Sequence, residues 1–203
     1  MRIWCASLSI FTSAIIASAC ADDFPIKRFS PFTYVVDYEA SWSPDSRKIA
    51  LVSSRHGGMK VHAMNVDSAS HGSDMRQLTF GSDEDDSPAW SPDGKKIAFV
   101  SIRAGVSEIF VMNADATNDH NISGESTLDG WPAWSNDGKR VVFSRRVNDR
   151  FQVFTMNRDG SGAMQLTDAA GEFVNPRWSP DGTKIICARR LGDMNLVMFP
   201  APK

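Results

Sequence analysis

The chain has 203 residues, of which 42% are hydrophobic, and this suits one folded domain with a sizeable core. Its formal net charge of −2 gives no electrostatic basis for binding nucleic acid or an anionic membrane surface. We therefore expect no nucleic-acid partner.

The first 20 residues have the pattern of an export signal. Arg2 precedes an apolar run, and small residues occupy positions 17–19. Because Cys20 follows them, the run is also similar to a bacterial lipoprotein box, in which Cys20 is lipidated. Ordinary cleavage and lipidation are two open alternatives. Under either one we expect residues 21–203 to form an exported domain in the periplasm or cell envelope, attached to a membrane only through a lipid on Cys20.

One pentapeptide recurs along the rest of the chain. The copies WSPDS, WSPDG, WSNDG and WSPDG begin at Trp42, Trp90, Trp134 and Trp178, at spacings of 48, 44 and 44 residues. A period of this size is typical of repeat architectures. Proline, aspartate and glycine favour a tight turn, so we interpret the pentapeptide as structural and not catalytic.

Each repeat is predicted to contain four strands, the innermost of which ends at the tryptophan. A nearly continuous apolar run follows the turn, as at 96–100, and this indicates burial on both faces. The next strand, such as 108–112, ends at an Asn-x-Asp turn. A short fourth strand ends at Leu78-Thr79, Ile122-Ser123 or Leu166-Thr167. Four antiparallel blades of this kind, closed into a ring or left as an open arc, make an all-β propeller.

The fourth repeat stops after its third strand, near residue 199. Residues 26–30 are similar to the fourth-strand sequence at 75–79. We therefore expect this N-terminal strand to pair with residues 194–199 and complete the fourth blade, which predicts a monomer. The alternative is an open arc that closes by dimerising.

The repeat resembles a known family. The order Leu-Thr, Pro-x-Trp-Ser-Pro-Asp-Gly, Ile-Ala-Phe and Val-Met-Asn-x-Asp is similar to the TolB-type β-propeller repeat, over about residues 26–199. The resemblance implies the propeller fold. It implies no single activity, because the same repeat occurs in prolyl-oligopeptidase-like and carbohydrate-active proteins. The strands begin soon after the signal, so we expect no TolB-type N-terminal α/β domain.

The sequence carries no recognisable catalytic or metal-binding motif. The Gly-Ser-Gly at 160–162 lacks the spacing of a nucleophile elbow, and His56, His62, His71 and His120 lack the spacing of a zinc site. We expect a non-catalytic protein without cofactor or metal that binds a protein or another envelope component. The alternatives are a lyase-like propeller enzyme acting through a channel metal, and a fragment of a prolyl-oligopeptidase-type propeller.

Candidate binding residues follow from their positions in the repeat. Five residues before the tryptophans are Asp37, Asp85 and Asp129, while Phe173 occupies the fourth copy. The loops between the second and third strands carry Arg55, Arg103, Arg146 and Arg190. Both sets are predicted to lie at one mouth of the axial channel. Either the arginines pair with the aspartates and stabilise the loops, or a charged rim recognises a peptide, a partner loop or a cation.

Overall fold

The structure, a computed structural model, describes residues 35–66, 74–81, 83–124, 128–167 and 170–202. The regular structure in these ranges is entirely β, and the described residues form no apolar helix long enough to span a membrane. The strands are β1 (Asp37–Trp42), β2 (Lys48–Ser53), β3 (Lys60–Asn65), β4 (Arg76–Gln77), β5 (Glu84–Trp90), β6 (Lys96–Arg103), β7 (Val106–Asn113), β8 (His120–Asn121), β9 (Asp129–Trp134), β10 (Arg140–Val147), β11 (Arg150–Asn157), β12 (Met164–Gln165), β13 (Glu172–Trp178), β14 (Lys184–Leu191) and β15 (Asp193–Pro200).

The strands form four antiparallel meanders, one for each repeat. Blade 1 is β1–β4, blade 2 is β5–β8, blade 3 is β9–β12 and blade 4 is β13–β15, each paired in chain order. The inner strands pack in series, β1 on β5, β5 on β9 and β9 on β13. The predicted all-β propeller of four blades is confirmed. The export signal, Cys20 and the strand predicted at 26–30 lie outside the described residues.

The Trp-Ser-x-Asp turns share one pattern of hydrogen bonds. In blade 2, Ser91 Oγ donates to Asp93 Oδ1 over 2.6 Å and accepts the Lys96 N–H over 2.9 Å. The residue after the aspartate is left-handed, with φ of 69° at Gly94 and 58° at Ser46 in blade 1. Because the serine and the aspartate are engaged within the turn, the pentapeptide is structural, as predicted.

The fourth strands are short, as predicted, with two residues each in blades 1 to 3, but they end two residues earlier than predicted. They end before the Leu-Thr pair because a side-chain hydroxyl continues the ladder. Thr79 Oγ1 accepts the Val61 N–H over 3.0 Å, and Ser123 and Thr167 accept equivalent bonds in blades 2 and 3. The hydroxyl replaces a backbone carbonyl as acceptor, which explains why the repeats carry Thr or Ser at this position.

Each blade has two faces, a leading face toward the next blade in chain order and a trailing face toward the preceding one. Ala50 and Val61 on the leading face of blade 1 pack with Phe99 and Met112 on the trailing face of blade 2. The same arrangement joins blades 2 and 3 and blades 3 and 4, where Cys187 is buried as a small hydrophobe. The core is therefore a series of layers between blades.

The repeat tryptophans lie in these layers, with one exception. Trp134 is 7% exposed, and its Nε1 donates to Ala89 O of the preceding blade over 3.0 Å. Trp90 and Trp178 are half-buried in the corresponding layers. Trp42 is 58% exposed. The prediction that the tryptophan packs between blades is confirmed for the second, third and fourth repeats.

Candidate binding rim and channel

The predicted charged residues lie at one end of the blades. Asp37 begins β1, opposite the end of β2 that leads to Arg55. In blade 3, Asp129 begins β9 and pairs in register with Arg145, next to Arg146. We call this end, formed by the starts of the inner strands and the hairpins after the second strands, the rim. The structure brings the predicted aspartates and arginines to the rim.

The three rim aspartates form ion pairs within the protein. The pairs are Asp37 Oδ2 with Arg55 Nη2 at 3.3 Å, Asp85 Oδ2 with Lys60 Nζ at 3.1 Å, and Asp129 Oδ2 with Arg145 Nη2 at 2.8 Å. Lys60 belongs to the preceding blade, and both members of its pair are buried. Removing one partner of such a pair would leave a buried charge uncompensated. These carboxylates therefore hold the rim together.

Three of the four predicted arginines have partly exposed side chains. They pair with acidic residues of the rim and nearby loops: Arg103 with Asp119, Arg146 with Asp149, and Arg190 with Glu172. Their side chains are 38%, 43% and 61% exposed, against 7% for Arg55. Exposed pairs of this kind stabilise a fold little, so a partner can displace the acidic residue from each arginine at little cost. The exposure of the side chains makes the three arginines accessible to such a partner.

Each inner strand carries a β-bulge that sequence reasoning missed, three residues before its tryptophan. The bulge residues are Glu39, Ser87, Trp131 and Asn175, with φ between 48° and 57°. The pairing with the second strand shifts register at this point in every blade. A proline follows the bulge residue in blades 2 to 4. That proline was the available signal, because proline within a strand is confined to edges and bulges.

Side chains of blades 1 and 2 meet at these bulges, and a charge of blade 4 lies near enough to influence them. Ser87 Oγ donates to Glu39 Oε2 over 2.8 Å and so joins the inner strands of blades 2 and 1. Beside them, Tyr38 OH donates to Asp86 Oδ2 over 3.3 Å. Arg177 of blade 4 interacts electrostatically with Glu39. Because inner strands of non-adjacent blades approach one another at the axis of a propeller, we call these five residues the channel cluster.

The channel cluster has an unusual balance of charge. Burial and the neighbouring Asp86 carboxylate raise the pKa of Glu39 to about 7 and that of Tyr38 to about 12. Burial lowers the pKa of Arg177, and the charge of Glu39 opposes that shift. Glu39 and Arg177 are nevertheless exposed to solvent, as expected of side chains that line a channel. The cluster therefore holds a carboxyl group that titrates near neutral pH.

Two histidines form a stacked pair in blade 1. His56 Nδ1 lies 3.0 Å from His62 Nε2, and the ring centroids are 5.3 Å apart. His62 Nδ1 lies 3.0 Å from Lys60 O, so its N–H donates there and Nε2 accepts from His56. His120 is exposed, and His71 lies outside the described residues. Over the part of the chain that the structure describes, no three His, Cys, Asp or Glu side chains are grouped to hold a metal ion.

One protein-family profile matches the chain. Residues 83–200, which span blades 2 to 4, match the TolB beta propeller domain. No curated protein sequence matches the chain.

Several solved structures share the fold. A protein assigned as TolB from Agrobacterium tumefaciens is 22% identical, with a TM-score of 0.70, over 80% of this chain and 60% of that chain. TolB from Acinetobacter baumannii is 21% identical, with a TM-score of 0.69, over 81% of this chain and 41% of that one. A puromycin-hydrolyzing peptidase from Mycobacterium tuberculosis is 18% identical, with a TM-score of 0.68, over 81% and 28% of the two chains. This chain thus spans less than two thirds of each of them.

Proposed function

Since the chain belongs to the TolB beta propeller domain family, we propose that it is an exported, non-catalytic binding protein that takes an envelope protein on its rim. The observation that carries the proposal is the exposure of Arg103, Arg146 and Arg190 at one end of the propeller. Guanidinium groups bind carboxylates through two parallel hydrogen bonds, so the partner segment is expected to be acidic.

The other polar residues of the repeat make contacts within the protein, which supports assigning partner binding to the exposed arginines. The turn serines and aspartates bond to each other at the opposite end, and the rim aspartates are paired internally. A partner would have to break these contacts to use them. The exposed arginines, by contrast, exchange weak pairs at the surface for pairs with a partner.

Capture from envelope extract tests the proposal. The triple variant Arg103→Ala, Arg146→Ala, Arg190→Ala should lose the partner that the parent protein retains, as identified by mass. The matched control is Arg47→Ala, Lys95→Ala, Lys139→Ala, which removes three exposed cations from the opposite end, at one repeat position. Equal capture by the parent and the rim variant would exclude the rim as the binding surface. Equal loss in both variants would show that net charge alone governs capture.

The location of the protein is tested separately. Expression with the native leader should give an envelope protein, and the two alternatives at Cys20 differ in mass by the lipid increment. Cys20→Ser should release the protein from the membrane fraction if that residue is lipidated. Retention of the whole leader in the cytoplasm would contradict export.

Metal analysis separates this proposal from the enzyme alternative. Protein purified without chelator is expected to carry no stoichiometric transition metal. A bound metal that is lost on His62→Ala would instead favour a metal-dependent enzyme.

A further inference from the structure

A groove lies at the rim between blades 3 and 4. On one side is the hairpin that joins β10 to β11, with Arg150, and on the other is the hairpin that joins β14 to β15, with Arg190 and Leu191. Gly171 and Glu172, at the start of β13, also line it. The groove has a volume of about 540 Å³ and is open to solvent. It therefore has room for the side chains of a short segment of a partner.

A tight turn and buried hydrogen bonds fix the two sides of the groove. Asn148 and Asp149 have left-handed backbone, with φ of 48° and 63°, and this two-residue turn leads directly into Arg150. Gln152 on β11 is 6% exposed, and its Nε2 donates to Gly171 O over 3.2 Å. This bond joins blade 3 to the start of β13. The arrangement of the two sides is therefore set by the fold before any partner binds.

Arg150 is the cation of this groove without a partner in the protein. Over the described part of the chain, its side chain makes no hydrogen bond or ion pair, and the residue is exposed. The two acidic residues that line the groove have arginine partners, since Asp149 pairs with Arg146 and Glu172 pairs with Arg190. Once these pairs are counted, the charge of Arg150 is uncompensated. Arg190 also keeps donors for a partner, because a guanidinium group has five N–H bonds and this side chain is 61% exposed.

The fold does not require an arginine at the position of Arg150. Arg150 is the first residue of β11, and the residues that begin the third strands of blades 2 and 4 are Val106 and Asp193. An apolar, a basic and an acidic residue thus begin this strand in three blades, whereas the turn serine recurs in all four repeats. The charge of Arg150 is therefore not explained by the needs of the hairpin.

We propose that this groove binds an acidic segment of the partner protein, with Arg150 and Arg190 each binding a carboxylate and Leu191 contacting an apolar residue beside them. The inference rests on the proposed function and deepens it, because it names the part of the rim that selects the partner. Guanidinium groups bind carboxylates through two parallel hydrogen bonds, which favours aspartate and glutamate as the groups bound. Leu191 is 56% exposed and offers apolar surface beside the two cations.

Titration of the isotope-labelled full chain with two peptides, followed by NMR, tests the proposal. The acidic probe is Gly-Glu-Leu-Glu-Gly with blocked ends, and the matched probe has glutamine in place of both glutamates. The parent protein should bind the acidic probe about tenfold more tightly than the matched probe, with shifts at 147–150 and 190–192. Arg150→Ala should lose about tenfold in affinity for the acidic probe, because charge-assisted hydrogen bonds are the strong ones. Arg150→Lys should recover part of the loss, since lysine keeps the charge and lacks the planar fork.

The control variant is Arg158→Ala, which removes an exposed arginine just beyond the other end of β11 and should bind as the parent does. Equal affinity of the parent for both probes would overturn the proposal, as would equal affinity of the parent and Arg150→Ala for the acidic probe. An equal loss in Arg158→Ala would also overturn it, because net charge would then account for binding.

Capture from envelope extract separates a failure of this inference from a failure of the proposed function. Arg150→Ala should lose the partner, as the triple rim variant does. If the triple variant loses the partner and Arg150→Ala keeps it, the groove does not select the partner and the proposed function stands. If the parent and the triple variant capture equally, the rim is excluded as the partner surface, and the peptide titration still decides whether the groove binds acidic segments.

Discussion

Replacing Trp134 with alanine should destabilise the propeller strongly. The indole fills the layer between blades 2 and 3, beside Ala98, Ile109 and Phe143. Its Nε1 also donates to Ala89 O over 3.0 Å, which ties the third inner strand to the second. The substitution therefore opens a cavity in a layer and removes the hydrogen-bond donor of a carbonyl in the neighbouring blade.

The expected loss is about 4–6 kcal/mol of unfolding free energy. Truncation of a buried tryptophan to alanine costs about 3–5 kcal/mol, through lost transfer energy and the residual cavity. The lost hydrogen bond adds about 1 kcal/mol unless a water replaces the indole. Trp134→Phe separates these contributions, because it keeps most of the apolar volume and removes the donor, and about 1–2 kcal/mol is expected for it.

The chain contains its own control at the same repeat position. Trp42 is 58% exposed, so Trp42→Ala should cost less than about 1 kcal/mol. Urea denaturation followed by circular dichroism measures both variants, since the remaining tryptophans would complicate fluorescence. Equal shifts of the midpoint for Trp134→Ala and Trp42→Ala would refute the argument that burial between blades determines the role of the repeat tryptophan.

Four further outcomes are expected. Ser46→Gly should raise the free energy of unfolding by about 0.5–1 kcal/mol, because Ser46 has a φ of 58°, which glycine adopts without steric cost. Gly182→Ala should lower the free energy of unfolding, because Gly182 has a φ of 70°. Thermal melts of both variants and the parent protein measure the two changes. Burial lowers the pKa of His62, so unfolding free energy should fall as pH drops below about 6.5, where the unfolded chain takes up the proton, and His62→Gln should remove this dependence. The Ser179 hydroxyl and two hydrogen bonds from Thr183 lower the pKa of Asp181 to about 2. The contribution of Asp181 to the free energy of unfolding should therefore be present above about pH 4 and lost toward pH 2. Acid titrations should show this loss in the parent protein and no such loss in Asp181→Asn. Deletion of 22–30 should cause aggregation in light scattering, because it would expose the edge of β15. A deletion variant as stable and soluble as the parent would refute the pairing of residues 26–30 with β15.

The repeat made much of the fold predictable. Tight turns, apolar strands and the position of the tryptophan depend on short stretches of sequence, and four copies of each stretch confirm one another. The structure therefore agrees with the predicted blade order and with the function of the turn at Ser91 and Asp93. The predicted end of the fourth strands was wrong by two residues, because the bond from the Val61 N–H to the Thr79 hydroxyl replaces a strand pair.

Contacts that occur in one blade alone were not predictable by comparing repeats. Lys60 reaches Asp85 of the next blade, and Arg145 pairs with Asp129 across β9 and β10. Neither cation has a counterpart of like charge at its position in every repeat. The exposure of Leu196 and Met198 on β15, at 74% and 61%, was also not predictable, because an apolar strand has the same sequence pattern whether a neighbouring element covers it or not.

Residues that recur in every repeat can also be compared with residues that differ among the repeats, and the comparison separates the needs of the fold from the needs of individual sites. A residue type needed by every blade to fold recurs in every repeat, as the turn serine and aspartate do. The bulge positions share a left-handed backbone and yet carry four different side chains, at Glu39, Ser87, Trp131 and Asn175. If the backbone alone mattered, glycine would be favoured at each of them, since it adopts this conformation without steric cost. Four different residues that tolerate the strain indicate that the side chain, and not the backbone conformation alone, determines which residue occupies each bulge.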